Sequence, residues 1–158
     1  MAGFAGKGTI LTMSTAALTS TSFGATGAAV IVGDLTNISG PTMSAEEIDI
    51  SSHDTSGNFR EFVVGFKDAG EISLEGNLTA DGGAAELVGA FKDRLNRNFH
   101  INFPVTSTEG GVGLCYLRWE FEGIVSGVET ATPYDDKASF SASVRLSGAP
   151  TLTDTTTT

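Results

Sequence analysis

Alternation of apolar and polar residues with a period of two is the feature that most constrains this chain. In Glu71-Ile72-Ser73-Leu74-Glu75-Gly76-Asn77-Leu78, the apolar Ile72, Leu74 and Leu78 fall on one side, and Glu71, Ser73, Glu75 and Asn77 on the other. Residues 137–147 repeat the pattern, with Ala138, Phe140, Ala142, Val144 and Leu146 opposite Ser139, Ser141, Ser143, Arg145 and Ser147. Successive side chains of a strand point to opposite faces, so both stretches predict strands with one buried and one solvated face.

The same reasoning extends along the chain. Leu117, Trp119, Phe121 and Val125 alternate with Arg118, Glu120, Glu122 and Ile124 in a strand long enough to cross a sheet, and Phe99, Ile101 and Phe103 form a shorter one before Pro104. Val30–Ser39 and Glu47–Ser51 complete the predicted set. The 20 glycines favour turns over helices, because glycine is costly inside a helix. The many Thr residues suit a pleated surface. One segment departs from the pattern. From Asp81, a candidate N-cap, Leu87, Val88, Phe91 and Leu95 fall at helical spacing, and Lys92, Arg94 and Arg97 lie where a helix C-terminus favours cations. The expectation is a mostly β fold, a two-sheet β-sandwich or barrel, with one flanking helix at about residues 81–96.

A chain of 158 residues fits one domain. Residues 1–28 are small and carry Lys7 as their one charge, which reads as an extended arm with an apolar patch at Ile10, Leu11 and Met13. The domain proper is expected over 29–149, and residues 150–158, ending in four threonines, read as a disordered tail. The formal charge of −10 disfavours attraction to nucleic acid or anionic lipid. The first residues lack the apolar stretch of a signal peptide and no run reaches the ~18 residues of a membrane span, so synthesis in the cytosol and no membrane partner are expected.

Residues for chemistry are scarce. His53 and His100 are the two imidazoles. Ser52-His53-Asp54 holds triad residue types, but adjacent side chains diverge, whereas triads are assembled from distant segments. One cysteine and two widely separated histidines give no zinc spacing. Asp54–Asn58 lacks the closing Glu of a calcium loop, since Gly65 stands there. Gly6-Lys7-Gly8-Thr9 has no Ser or Thr directly after its lysine, and Gly110-Gly111-Val112-Gly113 precedes a strand, so neither is a phosphate loop. Cys115, beside an apolar strand, reads as a small core residue. No catalytic residue, cofactor or metal is expected.

Two stretches are more specific. Ile38-Ser39-Gly40-Pro41-Thr42-Met43-Ser44-Ala45-Glu46-Glu47-Ile48-Asp49-Ile50, followed by residues 60–76 from Arg60-Glu61-Phe62-Val63-Val64-Gly65-Phe66 through Lys67-Asp68-Ala69-Gly70-Glu71 to Gly76, resembles the tail tube (major tail) proteins of long-tailed bacteriophages. Phe103-Pro104, Phe121-Glu122-Gly123-Ile124, Pro133-Tyr134-Asp135-Asp136 and the close on Ser147-Gly148-Ala149-Pro150 continue the likeness, over about residues 30–150. Val64 stands where the family often has proline, and Phe66 where it usually has leucine.

The resemblance implies a structural virion protein. Six copies would close into a ring, and rings would stack into a hollow tail tube through which double-stranded DNA passes, without specific binding, into the host. It implies as partners further copies of the chain and the tape measure, tail terminator and tail tip proteins, and as location the virion tail after synthesis in the host bacterial cytoplasm. On that reading the acidic residues of predicted polar faces, Glu47, Asp49, Glu71, Glu75, Glu120 and Glu122, are candidates for the lumen wall. Ile10, Leu11 and Met13 of the arm are candidates for contacts between subunits or rings. So are Phe59, Phe62, Val63 and Phe66 of the segment Ser51–Gly70, which is too apolar for a loop that stays in water. The alternatives are a tube protein of a related secretion or contractile injection system and, from another class, a β-sandwich adhesin or binding module.

Overall fold

The computed structural model describes residues 8–15, 29–51, 59–79, 83–105 and 115–156. Over these the chain is mostly β, with two sheets and one helix, the class expected from the alternating stretches and the one segment of helical spacing. The strands are β1 (Ile10–Ser14), β2 (Ala29–Val32), β3 (Leu35–Ser39), β4 (Ser44–Asp49), β5 (Phe62–Asp68), β6 (Glu71–Asn77), β7 (Arg97–Val105), β8 (Cys115–Ala131) and β9 (Ser139–Thr156). The helix α1 spans Ala84–Asp93, between β6 and β7. Seven strands form one antiparallel sheet in the order β2-β1-β7-β8-β9-β6-β3, and β4 pairs with β5 in a separate two-stranded sheet.

The large sheet must roll. Its two edges, β2 and β3, are consecutive in sequence and joined by Gly33 and Asp34 alone. From Val32 to Leu35 the chain spans at most about 11 Å, whereas strands ~4.8 Å apart would put the edges of a flat sheet of this order roughly 29 Å apart. The strands therefore curl until the edges meet at one corner, without a hydrogen-bonded seam between them. Asp34 makes the corner with φ 58°. Its carbonyl accepts from the Asn77 amide at 2.9 Å, and its carboxylate from the Thr79 hydroxyl at 2.6 Å. The single strand expected over Val30–Ser39 is thus two strands.

Inside the roll lies one core. Ile72, Leu74, Phe140, Ala142, Val144 and Leu146, assigned to buried faces by alternation, are all in it, as are Phe99, Ile101, Phe121 and Val125. The rings of Phe99 and Phe121, cross-strand partners, stack with centroids 5.6 Å apart. Gly76 and Gly123 keep this layer close. A Cβ at either would sit 2.7 Å from a core side chain, Phe140 or Val144 respectively.

Further expectations from the sequence change. Ile10–Ser14 is not an arm but β1, between β2 and β7, and Leu11 and Met13 are fully buried in this subunit's own core. Alternation over five residues was too short a signal against a small-residue background. The remainder of the expected arm, 1–7 and 16–28, lies outside the described residues. At the other end β9 continues to Thr156, pairing back to Cys115, where a disordered tail is expected from Pro150. The first half of β8 needs a second neighbour, and threonine suits that role. The segment Ser51–Gly70, expected to be a loop, contains β5, although residues 52–58, with His53, lie outside the described residues.

Finally, α1 is shorter than 81–96 and turns another face inward. Ala84, Leu87 and Ala90 are buried, while Phe91 and Leu95 are exposed. Small residues let the helix approach the sheet closely: a Cβ on Gly83 would lie 2.5 Å from the Cα of Val32. Arg97 is no helix-terminal cation. It begins β7, is buried, donates to the carbonyls of Ser14 and Thr15, and bridges to Asp93 at 2.5 Å.

Candidate assembly surfaces

The β4–β5 hairpin is the most unusual surface. Almost all of its residues are exposed, and it carries Ile48, Phe62, Val63, Val64 and Phe66, with Met43, Ile50 and Phe59 flanking it. Phe66 is 90 % exposed and Phe59 79 %. The register sets Ile48 opposite Val63 on one face, and Asp49 opposite Phe62 and Glu47 opposite Val64 on the other, so neither face is purely polar. A two-stranded hairpin is at best marginally stable in water. Its base is anchored nevertheless. Gly70 turns into β6 with φ 74°, its amide donates to Asp68 at 2.9 Å, and its carbonyl accepts from Leu146 at 3.0 Å. Thr42 donates its hydroxyl to the Glu71 carbonyl at 3.1 Å. The candidates Phe59, Phe62, Val63 and Phe66 therefore share one projecting element. Ile10 lies apart, on the outer face of β1, and Leu11 and Met13 are unavailable for contact.

The outer face of the rolled sheet is the second surface. Directly paired residues share a face, so the register places Glu71, Arg145 and Ile124 in one row, Ser73, Ser143 and Gly127 in the next, and Glu75, Ser141 and Glu129 in a third. Glu122, opposite Ser147 and Asn98, borders the first row. Glu71, Glu75, Glu122 and Glu129 thus outweigh Arg145 on a surface otherwise of short polar side chains and the exposed Ile124. Glu129 was not singled out from sequence, though it alternates with the buried face of β8. Arg145 is bound at 2.5 Å by Asp68, whose carboxyl is held below its usual range by the Gly70 amide and by Arg145 itself.

The six predicted acids do not form one surface. Glu47 and Asp49 belong to the hairpin, where hydrogen bonds from Ser51 lower the Asp49 pKa. Glu120 lies beyond the register shift that β9 makes between Ser147 and Thr151. There it is 3.4 Å from Arg118 and 3.9 Å from His100. Arg118 donates to Asn102 at 2.7 Å. His100 is buried, and its pKa is lowered chiefly by burial and further by Arg118, with Glu120 opposing. Its separation from Glu120 is beyond hydrogen-bond range. No group of His, Cys, Asp and Glu able to hold a metal occurs among the described residues. Nor is any helix among them long and apolar enough to cross a membrane.

The sequence profile of "Lambda phage tail tube protein, TTP" matches residues 19–153. No curated protein matches the chain in sequence. Among solved structures, the chain is similar to a protein in the tail of an empty GTA particle refined helically with C6 symmetry, at 18 % identity, TM-score 0.65, over 96 % of this chain and 99 % of that one. It is also similar to the SPP1 tail tube protein, at 12 % identity, TM-score 0.64, over 93 % and 77 %. A third likeness is to a chain of the anti-feeding prophage baseplate, six-fold symmetrised, at 7 % identity, TM-score 0.60, over 92 % and 91 %. At these identities the likenesses establish the fold.

Proposed function

The chain belongs to the lambda phage tail tube protein family, and on that footing we propose that it is the repeating subunit of a hollow tail tube, built of stacked six-membered rings and acting without catalysis or cofactor. The observation that carries this is the β4–β5 hairpin. Its exposed Phe59, Phe62, Val63 and Phe66 set four large apolar side chains in water on one element, the kind of surface that marks a site of protein contact. Packing it against a neighbouring copy removes that surface from water. A contact between different patches of two copies closes a ring when its rotation closes, and a second contact that does not close stacks rings into a filament.

The lumen wall in this reading is the serine-rich outer face with Glu71, Glu75, Glu122 and Glu129. A wall of net negative charge repels phosphates and lets double-stranded DNA pass without sticking, since attraction to DNA requires Lys and Arg. Glu47 and Asp49, on the hairpin, fit subunit contact better than the channel. The other partners are the tape measure, terminator and tip proteins of a phage tail, and the location is the virion tail after synthesis in the host cytoplasm. The likeness to the anti-feeding prophage chain keeps a contractile injection tube as the second reading, and the match of the phage family to most of the chain favours the first. Negative-stain microscopy of concentrated protein tests the proposal. Uniform hollow tubes or six-fold rings support it. A protein that stays monomeric at every concentration, even when seeded with tail tips, overturns it.

A further inference from the structure

The β8–β9 turn carries an isolated, fully exposed aromatic side chain. Tyr134 is 101 % exposed, after Pro133 and before Asp135, Asp136 and Lys137, all exposed. Tyrosine presents a large rigid apolar ring with a polar tip, which explains its enrichment at the buried centres of protein contacts. Nothing described in the subunit covers it.

A cavity of about 650 Å³ lies elsewhere on the same molecule, where the base of the hairpin meets the irregular part of β9. It is lined by Met43, Ala45, Lys67, Ala69, Leu146 and Pro150 among others. That volume is within the ~300–1,000 Å³ of pockets that enclose a compact ligand. Its walls are mostly apolar. The Asp68 charge at its rim is bound by Arg145 at 2.5 Å. Lys67, exposed opposite Ala45, has no such ion pair among the described residues. The cavity therefore offers an apolar pocket with an available cation, and the turn an aromatic ring followed directly by two carboxylates, net negative with Lys137 counted.

The two cannot meet within one copy. Ser139, where β9 begins, is about 23 Å along the strand from Leu146, and the turn lies further out on the far side. We infer that Tyr134 of one copy seats in the Met43–Lys67–Pro150 cavity of a second copy, with Asp135 and Asp136 facing Lys67. Knob and socket are different patches, so the contact is head-to-tail, and every subunit both gives and receives it. The inference rests on the tube assembly proposed above and assigns one of its contacts.

Charge exchange tests it. Lys67→Glu sets three carboxylates together, and the concentration needed for assembly should rise roughly tenfold or more. Adding Asp135→Lys and Asp136→Lys in the same chain should restore assembly. All these side chains are exposed, so thermal melting should stay at the wild-type value. Independently of the charge variants, a chain carrying photo-reactive benzoylphenylalanine in place of Tyr134, co-assembled at low ratio into tubes of wild-type chain, should cross-link to residues 43–45, 67–69 or 146–150 of another copy. Unchanged assembly of Lys67→Glu, failure of the exchanged pair to recover, or cross-links confined to other segments would each overturn the contact and leave the tube reading standing. Absence of tubes from the wild-type chain would overturn that reading instead.

Discussion

Replacing Phe59 and Phe66 together by serine should abolish assembly at working concentrations while leaving the subunit folded. Both rings are mostly in water in the single subunit, at 79 % and 90 % exposure, so their removal takes little from its core. Full burial of a phenylalanine side chain contributes about 1.5–3 kcal/mol. If neighbouring copies cover both, the pair supplies about 3–6 kcal/mol to each subunit added. With a factor of ten for every ~1.4 kcal/mol, the critical concentration should rise roughly 10²- to 10⁴-fold. Sedimentation of polymer across a concentration series reads this directly, with thermal melting of the unassembled subunit as the control. A double variant that polymerises at the wild-type critical concentration refutes the reasoning. A variant whose melting temperature falls by many degrees refutes it differently, by showing that these rings support the subunit itself.

Other perturbations address the fold. Phe99→Ala removes a fully buried ring stacked on Phe121 and should cost about 3–5 kcal/mol, read as a lower denaturation midpoint with an unchanged slope. Gly70→Ala places a Cβ 2.1 Å from the Thr42 carbonyl oxygen at φ 74°, and should destabilise by at least ~2 kcal/mol by the same assay. Arg97→Ala removes the buried guanidinium that donates to the Ser14 and Thr15 carbonyls and bridges to Asp93, and should cost about 2–3 kcal/mol, with amide exchange of β1 rising first. The His100 pKa is lowered in the fold below its usual 6.5, so the unfolded chain takes up the proton first. Stability is then full above about pH 6.5 and declines as pH falls from there through the folded value, and His100→Gln should flatten that decline in a pH series of melts.

The alternating stretches were legible because each strand of the roll buries one face. Ile72, Leu74, Phe140 and Val144 could be placed without knowing their partners, as period two is written in the local sequence. What pairs with what was not. That β2 and β3 are opposite edges of one sheet depends on Gly33 and Asp34 turning a corner, and a local pattern reads straight through them. β5 was hidden for a related reason. Phe62–Asp68 is apolar on both faces, so it has no alternation, and its apolar character registers only as a surface awaiting cover. Ala84 and Ala90 were passed over for Phe91 and Leu95 because hydrophobicity ranks the larger side chains first, whereas close approach to β2 selects the smaller. The six acidic residues were grouped by local alternation alone, but which faces adjoin is set by register and by the bend in β9: Glu47 and Asp49 share a face with Val64 and Phe62, Glu120 lies beside His100, and one expected surface resolves into three.

The symmetry and the wall of the assembled particle decide whether this chain is a tube subunit. A helical reconstruction of tubes grown from the purified chain should show six copies per ring around an open channel. The β6–β9–β8 outer face should line that channel, and the β4–β5 hairpin should be buried between copies. A solid fibre, or a tube with Glu71, Glu75, Glu122 and Glu129 on its exterior and the hairpin in solvent, would contradict it.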